Sequence, residues 1–164
     1  MTQMIPKKEF PRPERERRRW LNLNGDWDFK LFPAGEETAE QTFADGRADY
    51  DRTIVVPFSW VAPLSKVQEN VAGIGWYRRT VRFAPKGRLF LCFGAVDYVA
   101  DVYVNGAHAG HHQGGYTYFE LDVTALWHEG ANVVEVRAED YRRETQTHGK
   151  QGYGDTQGIW QTVW

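Results

Sequence analysis

From Trp27 onward, apolar and polar residues alternate with a period of two, and glycine, proline or asparagine breaks the alternation at short intervals. This is the pattern of strands that bury one face. After the turn residues Asn24-Gly25-Asp26, the alternating Trp27, Phe29 and Leu31 predict a half-buried strand over Trp27 to Phe32. Thr53 to Phe58 is a short β-branched strand stopped by proline. Trp76 to Phe83 places Tyr77, Arg79, Val81 and Phe83 on one face, and Arg78, Thr80 and Arg82 on the other. Arg88 to Phe93 is apolar almost throughout, which predicts a central strand buried on both faces.

Asn105-Gly106 is the sharpest local signal. Both residues tolerate positive φ, so the pair favours the tight turn whose twist matches two paired strands, and residues 98–112 are expected to form a hairpin. Tyr116 to Val123, Asn132 to Glu139 and Ile159 to Trp164 supply three more strands. Thr124 to Gly130 has room for one helical turn, and residues 33–52, with few aliphatics, predict a long surface connection. Short strands separated by turn signals, with no long helical periodicity, predict an all-β fold: an antiparallel two-sheet sandwich. Residues 1–19 are charged and punctuated by proline, an extended arm before a single domain over 20–164.

Composition narrows the function classes. Twenty Lys and Arg against 22 Asp and Glu leave a net charge of −2, so nothing draws in a polyanion, and the basic run Arg12 to Arg19 is partly cancelled by Glu14 and Glu16. Nucleic acid is not an expected partner. No segment is apolar enough to span a bilayer as a helix and the N-terminus lacks the apolar run of a signal peptide, which together predict a cytoplasmic location. The single cysteine, Cys92, lies in an apolar run and is expected to be a core thiol. His108, His111 and His112 are the densest histidine group. On a regular strand His108 and His112 share a face and His111 opposes them, and no Cys pair or Glu-containing motif accompanies them, so no metal site is expected. No cofactor motif is present.

A series of short motifs in fixed order resembles the N-terminal domain of family 2 glycoside hydrolases. The series runs Leu23-Asn24-Gly25-Asp26-Trp27, Val56-Pro57-Phe58-Ser59-Trp60 and Gly75-Trp76-Tyr77-Arg78-Arg79. It continues through Phe93-Gly94-Ala95-Val96-Asp97-Tyr98, Val102-Tyr103-Val104-Asn105-Gly106 and Gly114-Gly115-Tyr116 to Gly158-Ile159-Trp160-Gln161-Thr162-Val163-Trp164. The resemblance implies a jelly-roll, galactose-binding-domain-like sandwich. In such enzymes it precedes an immunoglobulin-like domain and a TIM barrel whose two glutamates carry out retaining β-glycoside hydrolysis. No segment here resembles the motifs carrying those glutamates, so no catalytic residue is expected in this chain. Ending at Trp164, inside the last strand of the pattern, implies a truncation, and a seam toward missing C-terminal domains that exposes an apolar patch and favours self-association.

By that resemblance Trp60, Trp76, Lys150, Gln151 and Asp155 are candidates for sugar or interdomain contact, with core packing the competing role for the two tryptophans. The segment between Gln151 and Gly158 is shorter than in many relatives. Asp101 and Glu135 fall at outward strand positions expected to be solvated, and Asp97 is placed to satisfy loop amides. The expectation is a non-catalytic sugar-binding accessory domain of a β-glycosidase. An autonomous carbohydrate-binding module and a ligand-free or engineered sandwich remain open beside it.

Overall fold

The computed structural model describes residues 5–9, 18–141 and 155–164. Its main layer is a six-stranded antiparallel sheet in the order β2-β1-β3-β9-β6-β7. The strands are β1 (Gly25–Pro33), β2 (Arg52–Val56), β3 (Gly73–Arg82), β6 (Val99–Val104), β7 (Ala107–Gln113) and β9 (Ala131–Asp140). The second layer joins two short pairs, β4 (Phe90–Phe93) with β8 (Phe119–Asp122) and β5 (Val96–Asp97) with β10 (Gly158–Ile159). A bridge between Phe93 and Val163 connects the pairs. Between the layers Phe29, Tyr77, Val102 and Val136 meet Leu91, Phe93, Ile159 and Val163, all buried. Each such side chain stabilises the fold by about 1.5–3 kcal/mol.

The predicted hairpin is present. Asn105 and Gly106 have φ of 52° and 83°, and the Asn105 side chain donates to the Leu126 carbonyl at 2.8 Å and accepts from the Val133 N–H at 2.9 Å. Thr124–Leu126 makes the expected single helical turn. Cys92 is buried. Arg79 lies on the core side of β3, where its guanidinium donates to the carbonyls of Leu23 (2.7 Å) and Asn24 (3.0 Å).

Four expectations need adjusting. Residues 33–52 form the expected surface connection, but it contains a helix, α1 (Glu37–Gly46), which crosses the outer face of the main sheet. Its single large apolar residue, Phe43, packs edge-on against Trp76 and against Phe32, and buried Glu40 accepts bonds from Trp76 Nε1 (2.6 Å) and Arg137 Nε (3.0 Å). One apolar contact per helix face is too weak a periodicity to be seen in the sequence. Covering that face also buries Glu135, which was expected in water. It accepts from the Tyr50 hydroxyl at 3.0 Å and pairs with Arg47 at 3.7 Å. Burial and the Glu135 carboxylate together push the Tyr50 phenol far up.

The third concerns β4: Leu91, Cys92 and Phe93 are buried, as expected for a strand covered on both faces, but Phe90 at its outer end is exposed. The fourth concerns the histidines. A bulge in β7 pairs Val102 with Gly110 but Tyr103 with His108, so one extra residue flips the alternation. His108 and His111 therefore share a face and both bond Asp101 Oδ1, at 3.2 and 2.9 Å. His112 points the other way, stacked on Phe119 with centroids 4.1 Å apart. Among the described residues no group of three or more His, Cys, Asp or Glu is arranged to hold a metal ion.

Candidate functional site

Three of the five site residues expected from the sequence, Trp60, Trp76 and Asp155, lie among the described residues. Lys150 and Gln151 lie outside the described residues. Trp60 and Trp76 are 0 % and 1 % exposed, on opposite sides of the main sheet. Neither offers a ring face to a ligand, because packing has used both faces, which is the competing core role. Asp155 is half-buried, on the segment that enters β10.

What Trp60 does is position loops. Its indole N–H donates to Gln157 Oε1, and its backbone N–H donates to the Gln157 carbonyl at 3.3 Å. Gln157, 1 % exposed, also donates through Nε2 to the Val71 carbonyl (2.9 Å) and through its backbone N–H to Ser59 Oγ (2.8 Å). One buried side-chain amide thus ties both ends of the 59–72 loop to the segment carrying Asp155. The neighbouring Gly158 has φ +71°, and a Cβ there would lie 2.0 Å from the Tyr77 hydroxyl oxygen and 2.8 Å from Trp60 Cε3. Only glycine fits. The sequence placed Gly158 in a motif but gave no sign of what Gln157 holds.

Next to this clamp, β5 pairs Asp97 with Gly158, and the chain turns into β6. Asp97 was expected to satisfy loop amides. Instead its carboxyl is pressed over Gly115, where a Cβ would come within 2.5 Å of it. Burial first, then the charges of Asp140 and Asp155, raise the Asp97 pKa to about 7. The Gly115 carbonyl accepts from Trp160 Nε1 at 2.7 Å, and Tyr116, 71 % exposed, rests edge-on against Trp160 with centroids 5.3 Å apart. The tryptophans of the last strand accordingly face outward, Trp160 under Tyr116 and Trp164 stacked on Tyr118, while Ile159 and Val163 fill the core. The Asp97–Asp155 carboxyls and the Tyr116–Trp160 rings so converge beside the clamped loop. Tyr116 and Trp160 were visible as motif members, but strand alternation could not tell which was an exposed ring.

An aromatic pair beside carboxylates on clamped loops suits a hydroxylated ligand: rings take the apolar face of a pyranose and carboxylates accept from its hydroxyls. Residues 20–163 match the sugar-binding domain of glycosyl hydrolases family 2. The chain belongs to that family. It is 35% identical over 122 residues to a β-glucuronidase of Bacteroides fragilis, which covers 71% of this chain and 16% of the relative. It is 34% identical over 106 residues to a β-galactosidase of Thermoanaerobacter pseudethanolicus, covering 59% and 14%. Among solved structures, a β-glucuronidase of an uncultured Clostridium sp. superposes with a TM-score of 0.59 at 31% identity, covering 71% of this chain and 21% of that one. The Ruminococcus gnavus β-glucuronidase in complex with D-glucuronic acid gives a TM-score of 0.71 at 20% identity, over 88% and 28%, a likeness of fold. The family 2 sugar-binding domain thus spans about a sixth of the curated relatives it matches. Among the described residues no helix is long and apolar enough to cross a membrane.

Proposed function

We propose that this family 2 domain is a non-catalytic accessory part of a larger retaining β-glycosidase, bracing the catalytic barrel and presenting loops beside its substrate pocket. The observation that carries the proposal is the Gln157 clamp, which ties both ends of the 59–72 loop to the segment that carries Asp155 and Trp160. A surface that must meet another domain at fixed geometry needs such preorganisation. Asp97, 7 % exposed and covered by the Gly115 loop, suits a structural role better than proton transfer to a substrate. The family resemblance favours β-glycosides as the substrate class, with Asp155 the candidate for hydroxyl contact and the carbohydrate reached jointly by this domain and the barrel.

The exposed Tyr116 ring, backed by Trp160, favours a second reading, an autonomous module that holds a sugar by itself. Titration of the chain with β-glucuronide, β-galactoside, β-glucosaminide and β-mannoside, followed by tryptophan fluorescence and amide shifts, separates the two. An accessory domain shows no saturable shift at millimolar sugar. Saturable shifts confined to Tyr116, Trp160 and Asp155, and lost in Tyr116→Ala, would establish the module instead.

A further inference from the structure

The chain carries two Asn-Gly pairs, Asn24-Gly25 and Asn105-Gly106. A glycine has no side chain to shield its amide nitrogen, which can add to the Cγ of the preceding asparagine. The Cγ–Nδ2 bond then breaks and ammonia leaves, taking up by way of solvent the proton that the nitrogen gave up. The resulting succinimide adds one water and opens to aspartate or isoaspartate, so no reactant other than water is needed. The two pairs meet this chemistry in opposite surroundings.

Asn24 is 1 % exposed. Its side chain accepts from the Val163 N–H (3.2 Å) and donates to Thr162 Oγ1 (3.1 Å), so its amide is freed only when the two layers part. Asn105 instead sits exposed at the tip of the β6–β7 hairpin, and β7 is an edge strand paired only with β6. Yet its amide is fully engaged. Oδ1 accepts from the Val133 N–H at 2.9 Å, and Nδ2 donates at 2.8 Å to both the Leu126 carbonyl and Asn132 Oδ1. Arg47 Nη2 holds the Gly106 carbonyl at 3.0 Å. Ring closure needs the Asn105 Cβ eclipsed with the Gly106 nitrogen, and the left-handed turn at φ 52° keeps the two apart as long as Val104 pairs with Ala107. Opening the tip removes these restraints while β6 keeps its other partner, β9.

We propose that Asn105 is a gated deamidation site, inert while the hairpin tip is closed and hydrolysed when it opens. The product cannot return to the same contacts. An aspartate in its place turns an oxygen toward the Leu126 carbonyl and Asn132 Oδ1, where a donor stood. Asn132 is 0 % exposed and has no freedom to reverse its amide, because its Oδ1 accepts from the His128 N–H (3.0 Å) and its Nδ2 donates to the His128 carbonyl (2.9 Å). Isoaspartate adds a backbone carbon to a two-residue turn and breaks the Val104–Ala107 register. Each opening that ends in hydrolysis therefore leaves the 124–132 connection without its anchor.

The test ages the 164-residue chain in mildly alkaline buffer, folded or in guanidinium chloride, and follows the Asn24 and Asn105 peptides by mass spectrometry that resolves isoaspartate. In the folded chain Asn105 is expected to convert about tenfold or more slowly than in denaturant, and Asn24 more slowly again. Equal Asn105 rates in the two media would overturn the gate. An Asn24 rate equal to or above that of Asn105 in the folded chain would overturn opening confined to the hairpin tip. The chain converted at Asn105, separated by ion exchange through its extra negative charge, is expected to exchange its amides through 124–132 about tenfold or more faster. Unchanged exchange there would overturn the lost anchor.

Discussion

At Gly158 and Asp97 the environment of a single residue decides what the chain tolerates. Gly158→Ala adds a methyl where Tyr77 and Trp60 leave no space and where φ is +71°, so it should lower stability by about 3 kcal/mol or more. A fall in the urea midpoint with unchanged slope would register that loss. For Asp97 the raised pKa means that the folded state keeps its proton while the unfolded chain loses its own near 3.8. The folded state binds more protons between those values, so stability attributable to this group is full below about pH 4, declines as pH rises toward 7, and levels off above. Asp97→Asn should remove that slope, and thermal melts of both proteins from pH 4 to 8 will show whether it does. Asp97 and Gly158 were both legible as motif members. Their constraint was not, because strand alternation reports which side a residue faces and is silent on how near the opposite layer comes.

Among the elements, strands announced themselves and the helix did not. β1, β3, β6 and β9 carry several alternating core residues each, whereas α1 is held by Phe43 and one buried carboxylate. Removing that carboxylate should free the helix before anything else. Glu40→Ala leaves Trp76 Nε1 without its acceptor and Arg137 with fewer partners, a loss of about 2–3 kcal/mol. Hydrogen exchange should quicken through 37–46 while β9 stays protected. The same hidden helix explains why Glu135 was placed in solvent, since its position in β9 was right and the cover over it was unseen. The β7 bulge likewise defeated the histidine reading, because one unpaired residue reverses every later side chain in a strand. In the hairpin, where local chemistry does decide, Asn105→Ala should cost about 2 kcal/mol. It removes an αL-tolerant side chain together with its bonds to Leu126 and Val133, and equilibrium unfolding will measure the change.

For the molecule as a whole, the sandwich was legible because strand count and turn spacing determine layer architecture, whereas the convergence of loops at one surface depends on contacts far apart in sequence. Gln157 is the case in point: Gln157→Ala would leave the Trp60 N–H and the Val71 carbonyl unpaired across a sequence separation of 86 to 97 residues. The expected result is a loss of about 1–3 kcal/mol, with faster exchange in both the 59–72 loop and the 155–159 segment. If only one of them responds, the two are not held as a unit. The closing strand has a further consequence in time. Asn24 bonds a residue 139 positions later, and Leu23, Cys92 and Phe93 likewise wait for Val163 and Trp164. On a ribosome, the second layer stays open and its apolar inner face exposed until that segment has cleared the exit tunnel, so chaperone demand from this domain should persist until then and fall abruptly afterwards.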